Sequence, residues 1–280
     1  MELAYQRRGA GPPLVLLHGI GHHWQAWEPV LGLLAGTRDV IAVDFPGFGA
    51  SPPLPAGTPY NAETLADAIE TFCAELGLRD PHVAGSSLGG YVALTLAARG
   101  GVRTAVALSP AGFWFGPEAA YARGVLRVIR GMTRALPDAR PEAAGGGTAP
   151  TTGRRSAVTS SLVRAAVESF GGKVSARMLV AKPSRMTPEA LLAAAYALRD
   201  APGFDETLAS FRETGPPGRP KVPITIAWGE HDRILLRRQA VRAARWSEQR
   251  VKILRGCGHI PMSDAPELVA GVLLTGSSAA

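Results

Sequence analysis

A serine in a glycine-flanked turn is the strongest candidate for chemistry in this sequence. Ser87 lies in Gly85-Ser86-Ser87-Leu88-Gly89-Gly90, which follows the apolar run 82–84 and precedes a helical pattern. A G-x-S-x-G turn between a strand and a helix strains the backbone of its serine, and side chains at the two glycine positions would collide with the turn. We therefore predict that Ser87 is a nucleophile at the carboxyl edge of a sheet. An ordinary strand-to-helix turn is the alternative.

A serine hydroxyl needs a base that takes its proton. Six histidines compete for this role: His18, His22, His23, His82, His231 and His259. His259 follows the last apolar run on the glycine-flanked loop 256–261, which suits an imidazole that reaches over a sheet edge. The orienting acid should fall between the serine and the histidine along the chain, where Asp232 is the candidate and Glu230 the substitute. The predicted catalytic triad is Ser87, Asp232 and His259, with a hydrogen bond expected from Ser87 to His259. A His259 that only satisfies a loop hydrogen bond is the alternative.

Two backbone N–H groups are candidates for an oxyanion hole, which must present donors already aimed at the tetrahedral intermediate. One belongs to Leu88, directly after the nucleophile. The other belongs to Ile20 in the loop His18-Gly19-Ile20-Gly21, where the glycines allow a close backbone approach. Only main-chain atoms would act here, so the side chains of Ile20 and Leu88 serve packing.

Short apolar runs must position all of these residues. They are typical of strands buried on both faces of a parallel sheet, and they occupy residues 14–17, 40–43, 82–84, 104–108, 224–228 and 251–254. Amphipathic segments lie between them. Strands that alternate with helices predict a mostly parallel, doubly wound α/β sheet. Residues 2–7, in a hairpin that turns at residues 9–12, are expected to form its antiparallel edge.

Residues 111–220 break this alternation, because they contain long helical patterns and no convincing strand. We predict a helical insertion there, with a flexible loop near 138–155 that is rich in Pro, Gly, Ala and Thr. The predicted core domain therefore consists of residues 1–110 and 221–280.

Two groups of side chains in the insertion could bear on the substrate. The first group lies where the chain enters the insertion, above the predicted site: Phe113, Trp114 and Phe115. These residues could form either an aromatic pocket wall or a packed core. The second forms one stripe on a predicted helix, opposite a face that includes Tyr121, Val128 and Met132: Arg123, Arg127, Arg130 and Arg134. We expect this stripe to be solvent-exposed. Attraction of an anionic substrate or membrane surface is the alternative.

Composition restricts the class of protein. Of 280 residues, 46% are hydrophobic and 19% are charged, which permits a sizeable core, and no apolar stretch of about 18 residues offers stable membrane insertion. The net charge of +7 would suit a nucleic acid. However, no nucleic-acid motif is present, so we expect no such partner.

Cys73 and Cys257 are too few for a disulfide framework or a four-ligand zinc site, and the N-terminus lacks a signal-peptide pattern. We therefore expect free thiols and a cytoplasmic location.

The sequence resembles the alpha/beta-hydrolase superfamily in five segments, which occur in the family's order within residues 14–268. They are His18-Gly19, Asp44-Phe45-Pro46-Gly47-Phe48-Gly49-Ala50-Ser51, Gly85-Ser86-Ser87-Leu88-Gly89-Gly90, Gly229 to Asp232 and Gly258-His259-Ile260-Pro261. The resemblance implies the family's sheet with a helical cap inserted after its sixth strand, and a serine hydrolase without a metal or an organic cofactor. We expect the family's first strand to be missing, because the N-terminal segment is short.

These features predict hydrolysis of a small-molecule carboxylic ester with an apolar acid or alcohol part. Hydrolysis of a carbon–carbon bond in a ring-cleavage product is an alternative, although Ser86 stands where such enzymes often have Asn. Ser87 in place of Asp argues against the similar epoxide hydrolases and haloalkane dehalogenases. A ligand-binding or partner-binding protein that keeps the fold with little turnover is an alternative of another class.

Overall fold

One seven-stranded sheet organises the computed structural model, which describes residues 1–134, 136, 176–212 and 214–278. In chain order the strands are β1 (Tyr5–Arg8), β2 (Pro13–Leu17), β3 (Asp39–Val43), β4 (His82–Ser86), β5 (Thr104–Leu108), β6 (Ile224–Gly229) and β7 (Lys252–Leu254). Across the sheet their order is β1-β3-β2-β4-β5-β6-β7. β1 runs antiparallel to β3, and the other neighbours in this sheet are parallel. The predicted mostly parallel α/β sheet is confirmed.

Helices cover both faces of the sheet. In chain order they are α1 (Glu28–Ala35), α2 (Ala62–Glu75), α3 (Leu88–Arg99), α4 (Gly116–Thr133), α5 (Pro188–Arg199), α6 (Phe204–Ser210), α7 (Arg237–Ser247), α8 (Pro261–Asp264) and α9 (Pro266–Gly276). Successive side chains of β2 point to opposite faces. Leu14 and Leu16 pack in the apolar cluster with α1 and α9, whereas Val15 and Leu17 pack in the cluster with α2 and α3. None of the helices in the described ranges has the length and apolar character needed to cross a bilayer.

The antiparallel edge strand has a different neighbour from the one predicted. β1 pairs with β3, with Tyr5 opposite Val43 and Arg8 opposite Val40. It does not form a hairpin with β2, because β2 is already paired in parallel with β3 on one side and with β4 on the other. The expected antiparallel edge is confirmed, and the expected hairpin is wrong.

The described residues between β5 and β6 contain helices and irregular segments and no strand, in agreement with a helical cap. They include α4, a helical turn at residues 176–179, α5 and α6. The predicted loop near 138–155 lies outside the described residues. The insertion predicted after the family's sixth strand follows β5, the fifth strand described in this chain. The division into a core domain (1–110 and 221–280) and a cap (111–220) stays a prediction.

Helix α4 is rotated relative to the orientation predicted from its arginine stripe. Its buried residues lie at helical spacing, and several of them are small: Glu118, Ala119, Ala122, Leu126, Ile129 and Thr133. Tyr121, Val128 and Met132, which were predicted to face the core, are exposed instead. The prediction gave weight to large apolar side chains, whereas close packing of this helix uses alanines that let neighbouring elements approach.

The arginines of α4 are accordingly not one uniformly exposed stripe. Arg127 and Arg134 are exposed as predicted, but the side chain of Arg130 is only 12% exposed. Arg130 pairs with Asp205 of α6 at 2.7 Å (Nη1 to Oδ2), and its guanidinium lies over the ring of Phe204. A long arginine stem can be buried in this way because its charged end keeps an ionic partner and an aromatic face.

A buried glutamate ties the start of α4 to α7. The carboxylate of Glu118 accepts the N–H of Phe115 at 2.9 Å and pairs with both Arg238 and Arg242 of α7. Arg242 also donates to the carbonyl of Phe113, and its guanidinium lies over the Phe115 ring. The side chain of Glu118 is only 6% exposed. These contacts hold the start of α4 against α7, close to the point where the chain leaves β5.

Glu118→Gln should lower the free energy of unfolding by about 1–3 kcal/mol, because two arginines lose their ionic partner at a buried position. Urea denaturation followed by circular dichroism measures the difference. Glu248→Gln is the matched control, because Glu248 pairs with Arg219 at an exposed position and such a pair contributes at most about 1 kcal/mol. Equal losses in the two variants would contradict the structural role assigned to Glu118.

Candidate active site

Ser87 forms the turn between β4 and α3, as predicted. Its backbone has φ of +55° and ψ of −113°, a conformation that residues with side chains rarely adopt. A Cβ atom at Gly85 would overlap the carbonyl of Gly89, and a Cβ atom at Gly89 would overlap the carbonyl of Leu17. The two glycines therefore let the chain pass closely enough to hold Ser87 at the carboxyl end of β4.

His259 and Asp232 are joined by a buried hydrogen bond of 2.8 Å between ring Nδ1 and carboxylate Oδ2. The other oxygen, Oδ1, accepts the backbone N–H groups of Ile234 (2.9 Å) and Leu235 (2.8 Å). Because a carboxylate can only accept hydrogen bonds, this arrangement favours a proton on Nδ1 of His259. The Nε2 atom is then the basic nitrogen of the ring.

Glu230, the substitute acid, has a different partner. Its Oε2 atom accepts the N–H of Gly256 at 2.9 Å, and this bond is the main reason that the pKa of Glu230 is lowered. His231 lies 3.7 Å from the same oxygen. The structure therefore brings Asp232, and not Glu230, to His259.

One cavity is lined by both Ser87 and His259. The rest of its lining is mostly apolar: Ile20, Ala26, Leu126, Leu179, Ile260 and Met262. Leu126 belongs to α4 and Leu179 to the helical residues 176–179, so the segment between β5 and β6 covers the site. The expected hydrogen bond between Ser87 and His259 is not present among the described residues. Such bonds are often long without a ligand and shorten when substrate binds.

The loop that carries Ile20 passes directly beside the serine. A Cβ atom on Gly19 would lie 3.4 Å from Cβ of Ser87, and Ile20 lines the cavity. Within the described part of the chain, the N–H of Ile20 has no hydrogen-bond acceptor. Leu88 is the first residue of α3, where N–H groups have no partner within the helix. Both candidate donors are thus available next to the nucleophile.

His18 fixes the orientation of this loop. Burial lowers the pKa of His18 to about 4, so its ring is neutral at pH 7. Its Nε2 accepts the N–H of Phe45 at 3.0 Å, so Nδ1 carries the proton and donates to the carbonyl of Gly19 at 2.7 Å. In a trans peptide, the Gly19 carbonyl and the Ile20 N–H point in opposite directions. Anchoring this carbonyl therefore also fixes the direction of the Ile20 N–H.

The aromatic residues predicted to form a pocket wall lie elsewhere. Phe113 is buried against Trp246 at a ring distance of 5.3 Å, and Trp114 is buried against Phe211 at 5.2 Å. Phe115 is 65% exposed. None of the three is among the described residues that line the cavity of Ser87. Phe113 and Trp114 therefore agree with the alternative of a packed core.

Asp264 supports the site although the sequence did not predict a role for it. Its fully buried carboxylate accepts the N–H of Gly258 (2.7 Å), next to His259, and the N–H groups of Ala181 (2.9 Å) and Lys182 (2.6 Å). One carboxylate thus holds the histidine loop against the segment that returns from the insertion. The sequence shows only that a single acidic residue follows His259 after a mostly apolar segment, at position 264.

The two cysteines are free and buried. Burial raises the pKa of Cys73 to about 12 and that of Cys257 to about 11, so neither is a thiolate at pH 7. Within the described ranges, no group of three or more His, Cys, Asp or Glu side chains could hold a metal ion.

Several known proteins are similar to this chain. The pimeloyl-[acyl-carrier protein] methyl ester esterase of Aeromonas hydrophila subsp. hydrophila is 40% identical over 97 residues, or 35% of this chain and 36% of that protein. The 2-hydroxymuconate semialdehyde hydrolase of Pseudomonas sp. (strain CF600) is 39% identical over 94 residues, or 32% and 33%. This chain thus spans about a third of the length of these curated relatives.

A solved structure of a thermophilic esterase from Thermogutta terrifontis superposes with a TM-score of 0.69. The match covers 98% of this chain and 92% of that one at 21% identity, which shows a shared fold. A sequence model of the Alpha/beta hydrolase family matches residues 14–272, which is nearly the whole chain. The chain therefore belongs to the alpha/beta hydrolase family.

Proposed function

We propose that this protein is a serine hydrolase that cleaves a carboxylic ester through an acyl-enzyme. The observation that carries the proposal is the 2.8 Å hydrogen bond between His259 and Asp232, at a cavity that also contains the strained Ser87. A base oriented by a buried acid, at a cavity lined by a serine on a sharp turn, is the arrangement that nucleophilic acyl transfer requires.

Each step then has an assigned group. The Ser87 hydroxyl attacks the ester carbonyl while Nε2 of His259 takes its proton. The N–H groups of Ile20 and Leu88 stabilise the negative oxygen of the tetrahedral intermediate. His259 returns the proton to the departing alcohol, and Asp232 stabilises the imidazolium in between. Water activated by His259 hydrolyses the acyl-enzyme in a second round of the same steps.

The lining of the cavity supports an ester of an apolar acid or alcohol. Its side chains from the described residues are largely aliphatic and include no Lys or Arg. An aliphatic lining favours apolar groups, because these release water when they bind. One relative at 40% identity is a methyl ester esterase by name, which agrees with ester chemistry.

Hydrolysis of a carbon–carbon bond is the second candidate, because another relative is named a 2-hydroxymuconate semialdehyde hydrolase. Products of aromatic ring cleavage carry a carboxylate, and burial of a carboxylate is costly without a cation. The lack of a basic side chain in the described lining therefore favours the ester. The third candidate is a binding protein with little turnover. Binding alone does not require a histidine oriented by Asp232 beside Ser87, so the His259–Asp232 hydrogen bond favours an enzyme.

A substrate panel tests this proposal. Purified protein is assayed with ethyl esters of straight-chain acids of two to ten carbons, with the matched thioesters and with a 2-hydroxy-6-oxo-dienoate. We expect the ester kcat/KM to exceed that of the dienoate by at least 100-fold, or about 2.7 kcal/mol of transition-state stabilisation. Preference for the dienoate would establish the carbon–carbon hydrolase. Phosphonate labelling without turnover of any substrate would favour the binding protein.

We further propose a cytoplasmic protein that acts on a small molecule and needs neither a nucleic acid nor a metal. The two free, buried thiols support the reducing compartment.

A further inference from the structure

His22 is the only imidazole besides His259 among the described residues that line the cavity. It lies two residues after Ile20, and its backbone N–H donates to the carbonyl of Gly19 at 3.1 Å. Its ring therefore belongs to the same turn as the Ile20 N–H, close to where a substrate carbonyl would bind. The mechanism proposed above gives His22 no task.

The ring of His22 has an unused hydrogen-bonding atom. Its Nδ1 is shielded from solvent and has no hydrogen-bond partner within the described residues. By contrast, His23 bonds to Gln25, and His18 uses both of its ring nitrogens. Buried polar atoms in folded proteins nearly always have a partner, so one that lacks it at a binding cavity points to a ligand.

The ring is also uncharged. Burial, followed by the nearby rings of His23, His18 and His259, lowers the pKa of His22 to about 3. Protonation would place a second positive charge near His259 whenever that ring takes the serine proton. A neutral imidazole instead donates with one nitrogen and accepts with the other. It suits an uncharged oxygen better than a carboxylate, which would bring its charge into an apolar cavity without compensation.

We propose that His22 determines substrate specificity by binding an uncharged oxygen, a hydroxyl or a ketone, within a few bonds of the ester carbonyl. This inference rests on the proposed esterase function and names its substrate class: oxygenated aliphatic esters. A site with a polar group that must be paired discriminates strongly against an analogue that lacks the matching atom. Plain aliphatic esters leave His22 unpaired and bind less well.

The first test compares ethyl hexanoate with ethyl 3-hydroxyhexanoate, ethyl 4-oxohexanoate and ethyl 5-oxohexanoate, which together vary the position of the oxygen. In the wild-type protein, at least one oxygenated ester should exceed ethyl hexanoate in kcat/KM by roughly 10-fold or more. His22→Leu should reduce this ratio to near one, and His22→Gln should restore part of it. His231→Leu, at an exposed histidine, should keep the wild-type ratio. A ratio near one in the wild-type protein, or an unchanged ratio in His22→Leu, would overturn the proposal.

The second test does not depend on turnover. The corresponding amides, hexanamide and its 3-hydroxy, 4-oxo and 5-oxo derivatives, are titrated into the protein and followed by NMR. In the wild-type protein, the best oxygenated amide should have a Kd roughly 10-fold below that of hexanamide. In His22→Leu, the two amides should have equal Kd values. If no ester is hydrolysed but this difference is found, only the esterase function fails. If esters are hydrolysed and the amides bind alike, only the role of His22 fails.

Discussion

Ser87→Ala is expected to reduce ester turnover by about 10⁴- to 10⁶-fold, because the acyl-enzyme can no longer form. The residual rate would come from the oxyanion donors and substrate binding alone. The measurement is kcat for the best ester of the panel, with thermal unfolding to show that the variant is folded. Alanine is more strained than glycine at this position, because a φ of +55° at residue 87 is unfavourable for any residue with a Cβ atom. Ser87→Gly therefore serves as a second variant and should lose activity equally.

Covalent labelling identifies the nucleophile independently of turnover. A fluorophosphonate should transfer one phosphonyl group to Ser87 with loss of fluoride, and mass spectrometry of the peptide locates the adduct. Ser86 also lines the cavity and precedes Ser87 directly. Ser86→Ala should still acquire the adduct, whereas Ser87→Ala should not. An adduct on Ser86 of the wild-type protein would show that the nucleophile has been misassigned.

Asp232→Asn is the second substitution with a large expected effect, a loss of about 10⁴-fold in kcat. Oδ1 of residue 232 accepts two backbone N–H groups, so the amide of Asn should keep its oxygen there and turn its NH₂ toward His259. Nδ1 of His259 would then have to accept this hydrogen bond, which moves the ring proton to Nε2. A protonated Nε2 cannot take the proton of Ser87.

Glu230→Gln is the matched control, because the amide oxygen can still accept the N–H of Gly256. We expect a change of less than about 10-fold, since no contact joins Glu230 to His259 in the described structure. The comparison uses kcat at one pH, with circular dichroism to confirm the fold of both variants. If Glu230→Gln had the larger effect, Glu230 would be the residue that orients His259.

Most of the candidate site could be predicted because each of its residues lies in a turn or loop that follows a strand of the sheet. Apolar runs mark the strands, and parallel strands bring their carboxyl ends to one edge. Residues as distant in sequence as Ser87 and His259 therefore converge there. Asp232 is the predicted acid and Glu230, nearer the strand end, its substitute, and the hydrogen bond to His259 agrees with Asp232. The roles of His18 and Asp264 could not be predicted, because they depend on which backbone groups fold against them.

The errors have a common physical origin in tertiary packing. The turn at residues 9–12 predicts a strand before it but does not say which neighbour has a free edge, so the sequence predicts a hairpin where the structure pairs β1 with β3. Helical periodicity locates α4 but does not fix its rotation when arginines can be buried beside Phe204 and alanines can form the contact face. For the aromatic residues 113–115 the sequence leaves a pocket wall and a packed core as alternatives, because distance along the chain from β5 does not determine the direction in which the chain leaves the sheet.

The position of Asp264 has a consequence for recombination between members of this family. Its carboxylate binds N–H groups from two distant parts of the chain, Ala181 and Lys182 between β5 and β6 and Gly258 in the loop of His259. A foreign insertion would have to present two backbone donors at the same place. If it did not, a buried carboxylate would lose partners and Gly258, beside His259, would lose its anchor. A chimera whose foreign segment lacks these donors should therefore have a displaced His259 loop, even where the foreign segment itself folds correctly.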